Sequence, residues 1–160
     1  MAKKKTPNGV DLVTMVHPQS AAAEAFRILR TNLGFTSPDH PCRSLLVTSP
    51  GLDDGKTLTA CNLAVVLAQA GHKVLLVDCD LRRPLIHRLF GLENEHGFTN
   101  TLLHKRPPAG SIHRVNQGLS VLTSGPVPPN PAEIISASKT RVFWQEQLKS
   151  FDYLVVDSPP

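Results

Sequence analysis

Short, continuously apolar runs alternate along the chain with longer stretches of helical periodicity. Ser44 to Thr48, Val74 to Asp78 and Tyr153 to Asp157 read as strands, and Leu119 to Leu122 as a weaker one. Between them the spacing predicts a helix over about 56 to 70 ending at Gly71, and a short helix after Pro84. Asn130-Pro131 supplies an N-cap and a first-turn proline for a helix through Ile135, with another over about 139 to 149. Upstream, Ser20 can cap a helix from Ala21 to about Leu33, on which Phe26, Leu29 and Leu33 share one face. Ser37-Pro-Asp-His-Pro41 reads as a turn, and residues 1 to 19, with Pro7, Gly9 and Pro18, as an irregular lead-in.

Strands that are apolar throughout and separated by helices form parallel sheets covered on both faces. The predicted fold is therefore α/β, a three-layer sandwich around a mainly parallel sheet. In such sheets ligands collect beyond the carboxyl ends of the strands. Those ends carry Ser49 to Thr57, Asp78 to Arg83, and Asp157 to Pro160.

The first of them, S-P-G-L-D-D-G-K-T, raises the question of a phosphate-binding loop. The usual pattern is Gly, four residues, then Gly-Lys-Ser/Thr, and Pro50 occupies the first glycine position. Gly51 and Gly55 still provide two permissive backbone positions, and the helix that follows aims unpaired N–H groups at the loop. Lys56 suits the β- and γ-phosphates and the Thr57 hydroxyl a magnesium ion. Read alone, Gly55-Lys56-Thr57 is equally an ordinary strand-to-helix turn with a solvated lysine. Asp78 and Asp80, two residues apart, point to one side of an extended chain. Like charges that close need a cation, either magnesium or the neighbouring Arg82 and Arg83. Asp157 ends a third strand in a further carboxylate, and the three strand ends together favour magnesium-nucleotide chemistry over a chance arrangement.

Composition narrows the picture. The chain has 160 residues, 41% hydrophobic and 19% charged, with a net charge of +4, which is one globular domain with a real core. No dense basic stripe with interleaved aromatics suggests nucleic acid. Without a run of ~20 apolar residues or a secretory leader the expected location is cytoplasmic. Lys3, Lys4 and Lys5 are a solvated tail or, at ~1 kcal/mol each, an attachment to an anionic membrane surface. Cys42, Cys61 and Cys79 show no metal spacing and are expected to be small core residues.

Taken together, V-T-S-P-G-L-D-D-G-K-T-L-T-A-C-N-L-A, V-L-L-V-D-C-D-L-R-R-P and F-D-Y-L-V-V-D-S-P-P resemble the bacterial tyrosine kinases of capsular and exopolysaccharide synthesis, a branch of the P-loop ATPases. The similarity runs from about Leu12 to Pro160, so residues 20 to 160 are expected to be a P-loop kinase domain. It includes A-E-A-F-R-I-L-R-T-N-L, whose Glu24, Arg27 and Arg30 match the family's E-x-x-R-x-x-R oligomerisation motif, and G-P-V-P-P-N-P-A-E. The resemblance implies ATP and Mg2+ as cofactors. Nucleotide contacts would come from Gly51, Asp53, Asp54, Gly55, Lys56, Thr57 and Leu58, and metal contacts from Thr57, Asp78, Asp80 and, through water, Asp157. Lys56, Asp78 and Asp80 would be catalytic, with Asp78 the base for a tyrosine hydroxyl. It further implies a homo-oligomer and a membrane polysaccharide co-polymerase as activating partner, which would hold the chain at the inner face of the plasma membrane.

Two departures stand out. Leu52-Asp53-Asp54 replaces the family's Pro-Gly-acidic, which removes a glycine and adds a charge beside the polyphosphate. The chain also ends at Pro160, before the family's tyrosine cluster, so the fold is expected to be C-terminally incomplete; Tyr153, the single tyrosine, sits in an apolar strand. The rival readings are a partition or division-site ATPase, disfavoured because Gly51 stands where those carry a signature lysine, and a nucleotide-binding module without catalysis.

Overall fold

A computed structural model describes residues 11–36, 42–103, 108–136 and 138–160; the turn expected at 37 to 41 lies outside them. The apolar runs form β1 (Ser44–Val47), β2 (Val74–Asp78), β4 (Leu119–Leu122) and β5 (Tyr153–Asp157), joined by a short β3 (Ile112–Arg114) in the spatial order β1-β5-β2-β4-β3. All pairings are parallel except that of β3 with β4. Parallel neighbours need long crossovers, which helices supply. Helix α3 (Lys56–Gln69) links β1 to β2, and α4 (Ile86–Phe90) and α5 (Phe98–Leu103) follow β2. Helices α6 (Pro131–Ser136) and α7 (Ser138–Ser150) lead into β5, while α1 (Val13–Val16) and α2 (Ala21–Phe35) precede the sheet.

Alternation along β2 divides the core into two. Val74 and Leu76 join the α3 side with Ala64, Leu67 and Val155. Leu75 and Val77 join the opposite side with Phe98, Leu102 and Phe143 from α5 and α7. This is the expected three-layer arrangement. Each fully buried Val or Leu is worth roughly 1.5–3 kcal/mol, so β2, with no exposed residue, is the rigid centre from which the loops project. On the β1 edge strand Leu46 is 67% exposed among the described residues.

Beyond α3 lie α1 and α2, which is why α3 is buried on nearly every side. The lead-in expected to be irregular contains α1, because Leu12 is buried and Asn62 of α3 accepts hydrogen bonds from the Thr14 amide at 3.0 Å and hydroxyl at 2.8 Å. Ser20 caps α2 as expected, accepting from the Ala23 amide. Phe26 and Leu33 pack on the core, but Leu29 is 38% exposed, so the apolar face is narrower than its periodicity suggests. Cys61 and Cys79 are buried as expected; Cys42 is exposed, since it precedes the edge strand.

The parallel strands deliver the loops after β1, β2, β4 and β5 to a single edge. Gly97 anchors the β4 end of it: a Cβ there would lie 2.2 Å from the Gly125 nitrogen and the Thr123 oxygen, so only glycine fits. No helix among the described residues is long and apolar enough to cross a membrane.

Candidate active site

The loop after β1 turns on two left-handed residues. Gly55, the N-cap of α3, has φ +82°, and Asp53 has φ +60°. Glycine adopts this region freely and aspartate tolerates it at some cost, so Asp53 occupies a conformation that favours glycine. The loop is held internally: the Gly51 amide donates to Asp54 Oδ2 at 2.8 Å, and the Ser49 hydroxyl to the Gly51 carbonyl at 2.7 Å. Leu52 through Leu58 line a cavity of about 160 Å³, closed by Asp80, Arg83 and Leu85. Of the expected nucleotide contacts, Asp53, Asp54, Gly55, Lys56, Thr57 and Leu58 face this cavity, whereas Gly51 is held by Asp54 outside its lining.

The first two residues of α3 reach the neighbouring strand ends. Lys56 Nζ lies 3.0 Å from Asp80 Oδ2, and Thr57 Oγ1 donates to Asp157 Oδ2 at 2.7 Å. Asp80 Oδ1 accepts from the Arg83 and Arg82 amides at 3.0 and 3.3 Å, which sets the turn after β2. Burial alone would raise the Asp80 carboxyl, but the Arg83 amide and the Lys56 ammonium hold it below the usual carboxylate range.

Asp78 is placed differently. It has no solvent exposure, and its oxygens accept from the backbone amides of Ile86 at 3.1 Å and of Leu85 and Asp80 at 3.2 Å. Burial, reinforced by Asp157, pushes its carboxyl up to about 7 against the pull of those amides. Asp157 is also fully buried and is raised to about 6 by burial, with the Thr57 hydroxyl opposing the shift.

Of the four expected metal ligands, Thr57 and Asp157 are brought together. Asp80 is turned to Lys56 and Asp78 to the backbone, and among the described residues no group of three or more His, Cys, Asp or Glu is placed to hold a metal ion. What does fit magnesium is the Thr57–Asp157 pair, because Asp157 Oδ1 is buried with no hydrogen-bond partner among the described residues. Such an oxygen is costly unless a cation or its water completes it, and magnesium characteristically keeps waters while binding few protein oxygens.

Arg82 and Arg83, read from sequence as a possible salt-bridge cluster with the aspartates, form no ion pair among the described residues; only their amides contact Asp80. Arg83 and Leu85 as cavity walls were not foreseen, and the paired arginines after Asp80 were the available signal. Glu24, Arg27 and Arg30 lie away from the cavity. Arg27 binds Glu24 at 2.7 Å and the Pro18 carbonyl, while Arg30 donates to the Val66 carbonyl of α3 at 3.1 Å.

Residues 45–141 match the family described as the CobQ/CobB/MinD/ParA nucleotide binding domain. The chain is 43% identical to the tyrosine-protein kinase YwqD of Bacillus subtilis (strain 168) over 94% of its own length and 64% of that protein's. It is 40% identical to the putative tyrosine-protein kinase CapB of Staphylococcus aureus, over 100% of this chain and 70% of the relative. Among solved structures, the kinase domain of the Escherichia coli tyrosine kinase ETK superposes with a TM-score of 0.91 at 35% identity, covering 100% of this chain and 62% of that one.

Proposed function

The chain belongs to the bacterial tyrosine-protein kinases within the CobQ/CobB/MinD/ParA nucleotide-binding family, and on that premise we propose that it transfers the γ-phosphoryl group of ATP to protein tyrosine. The observation that carries this reading is the pairing of a P-loop lysine and threonine with two different strand-end aspartates, Lys56 with Asp80 and Thr57 with Asp157. The α3 N-terminus and Lys56 bind the phosphates and orient the terminal one toward β2. Thr57 and Asp157 would hold magnesium, which would neutralise charge on the phosphate oxygens.

In the transfer, the acceptor's phenol oxygen bonds to the γ-phosphorus. The bond from that phosphorus to the β–γ bridging oxygen breaks, ADP leaves, and the phenol proton passes to a carboxylate. Asp78 is the base we assign on the family resemblance, and burial, which raises its carboxyl to about 7, is compatible with a base working at neutral pH. A second assignment, Asp80, draws on the fact that Asp80 lines the cavity, whereas Asp78 lies behind it and accepts hydrogen bonds from the Asp80, Leu85 and Ile86 amides.

Tyr153 is not the acceptor we assign. Tyr153 stands four residues from Asp157 on the same strand, about 13 Å away at strand rise, with its ring packed on His72 at 5.0 Å. The setting we assign is regulation of capsular or exopolysaccharide synthesis and export, at the inner face of the plasma membrane, with a membrane co-polymerase as activator. This rests on the family resemblance. A partition or division-site ATPase is not favoured, since Gly51 replaces its signature lysine and the relatives above are named tyrosine-protein kinases. A module that binds nucleotide without transfer draws on Asp53 alone.

Incubation with labelled ATP and magnesium, with and without a tyrosine-rich peptide, tests the proposal. Phosphotyrosine is expected on the peptide and not on Tyr153. Nucleotide binding with no transfer to any tyrosine peptide would favour the non-catalytic module.

A further inference from the structure

The turn after β2 is pinned through four backbone amides that two aspartates hold. Asp80 Oδ1 accepts from the Arg82 and Arg83 amides at 3.3 and 3.0 Å, and Asp78 Oδ2 accepts from those of Leu85 and Ile86 at 3.2 and 3.1 Å. Between the two pairs stands Pro84, which restricts the backbone of the residue before it. Arg83 is thus fixed by its own amide on one side and by the proline on the other. Its exposed side chain starts from a rigid platform.

Arg83 also forms part of the wall of the phosphate-loop cavity, where Lys56 is the other cation. A single carboxylate positions both: Asp80 Oδ2 holds Lys56 Nζ at 3.0 Å while Oδ1 holds the Arg83 amide. When Lys56 turns to phosphate, the Arg83 anchor is left in place.

Charge gives the second cation its purpose. Ser49 to Thr57 contains one basic residue, Lys56, and two acidic ones, Asp53 and Asp54, so the loop alone carries an excess of negative charge where a polyphosphate must sit. Amides of such a loop and of the helix start cradle the inner phosphates, and the lysine reaches the outer ones. The outer end of the phosphate chain then meets the wall supplied by the turn after β2, and Arg83 is the cation on that wall. A guanidinium presents paired donors that match two phosphate oxygens, and an arginine at the transferred group offsets its charge.

Resting on the kinase reading, we propose that Arg83 binds the terminal phosphate of ATP through its guanidinium and so distinguishes ATP from ADP. Lys56 serves both outer phosphates; Arg83 serves the last alone. In the transfer the acceptor's phenol oxygen bonds to the γ-phosphorus, the bond to the bridging oxygen breaks with its electron pair leaving on ADP, and the phenol proton passes to the carboxylate base. Arg83 stays on the phosphoryl oxygens throughout. Arg82, one residue earlier and also exposed, does not line this cavity, which makes it the matched control for charge without contact.

The test is calorimetric titration of ATP and of ADP, each with magnesium, into wild type, Arg83→Ala, Arg83→Gln, Arg83→Lys and Arg82→Ala, with thermal melts to confirm folding. Arg83→Ala and Arg83→Gln, which keeps the aliphatic stem, should each weaken ATP about tenfold or more and ADP less than about twofold. Arg83→Lys, a point charge without the planar fork, should fall between them and wild type. Arg82→Ala should shift both nucleotides by one small common factor. An Arg83 variant that weakens ATP and ADP alike, or neither, overturns the proposal, as does an Arg82→Ala loss selective for ATP. Transfer to a tyrosine-rich peptide, measured alongside, separates this from the kinase reading. Wild-type transfer with no ATP-selective loss in the Arg83 variants leaves the kinase and removes the Arg83 contact; an ATP-selective loss in a protein that phosphorylates no tyrosine does the reverse.

Discussion

Asp78 and Asp157 stand opposite one another in the register of β2 and β5, and neither carboxyl is exposed to solvent. Two buried carboxylates on adjacent strands repel, and both are shifted upward, to about 7 and about 6. Burying both as charged groups costs the nucleotide-free protein stability at neutral pH.

The sign of the resulting pH dependence follows from linkage. A carboxyl with a higher pKa folded than unfolded makes the folded chain bind more protons between about pH 4 and pH 7, so stability falls as pH rises through that window. The nucleotide-free protein should melt at a higher temperature at pH 5 than at pH 7.5. Asp157→Asn keeps an acceptor for the Thr57 hydroxyl and removes the charge. At ~1.4 kcal/mol per tenfold change in proton affinity it should stabilise the protein at pH 7.5 by about 2–3 kcal/mol, or roughly 5 °C or more, with little change at pH 5. Melting temperatures that are flat or rise between the two pH values would contradict this.

Asp53 combines an unfavourable backbone conformation with a negative charge in the lining of the phosphate-loop cavity. Asp53→Gly relieves both. ATP affinity should rise about three- to tenfold at low salt, with a smaller gain at 0.5 M salt because screening already weakens the repulsion. An affinity that stays constant or falls in calorimetric titration would show that the loop is adapted to aspartate.

Arg30 does more within its own chain than its helical spacing suggests. Its bond to the Val66 carbonyl ties α2 to α3, so an Arg30→Ala variant should lose about 1 kcal/mol of stability. If Glu24, Arg27 and Arg30 also bridge subunits, light scattering of the Glu24→Ala, Arg27→Ala, Arg30→Ala variant should give smaller particles than wild type at a temperature where both are folded. Unchanged particle size would leave these residues with an intrachain role only.

Where sequence reading succeeded, the signal was local. β2, β4 and β5 have the expected bounds because strands in the middle of a sheet are largely buried and largely apolar, and Ser20 and Gly55 mark helix starts through their own conformational chemistry. Elements specified by distant partners were missed. Helix α5 has a Thr-Asn-Thr centre without clear periodicity, and β3 consists of Ile-His-Arg and exists through its antiparallel pairing with β4. The same limit applies to the site. Lys56, Thr57, Asp78, Asp80 and Asp157 could be named from motif spacing, but the engagement of Asp78 with the Leu85 and Ile86 amides depends on a turn that spacing does not describe. The phosphate-loop cavity joins Leu52 through Leu58 to Asp80, Arg83 and Leu85, which only the folded sheet brings together.

The account depends most on Lys56 as the cation that holds ATP phosphate in exchange for Asp80. Calorimetric titration of ATP with magnesium into wild type and Lys56→Ala, with thermal melts to confirm that both are folded, measures this directly. Removing a charge-assisted contact of roughly 1.5–3 kcal/mol should weaken binding at least about tenfold; equal affinity of the two proteins would contradict the assignment of the loop as the nucleotide site.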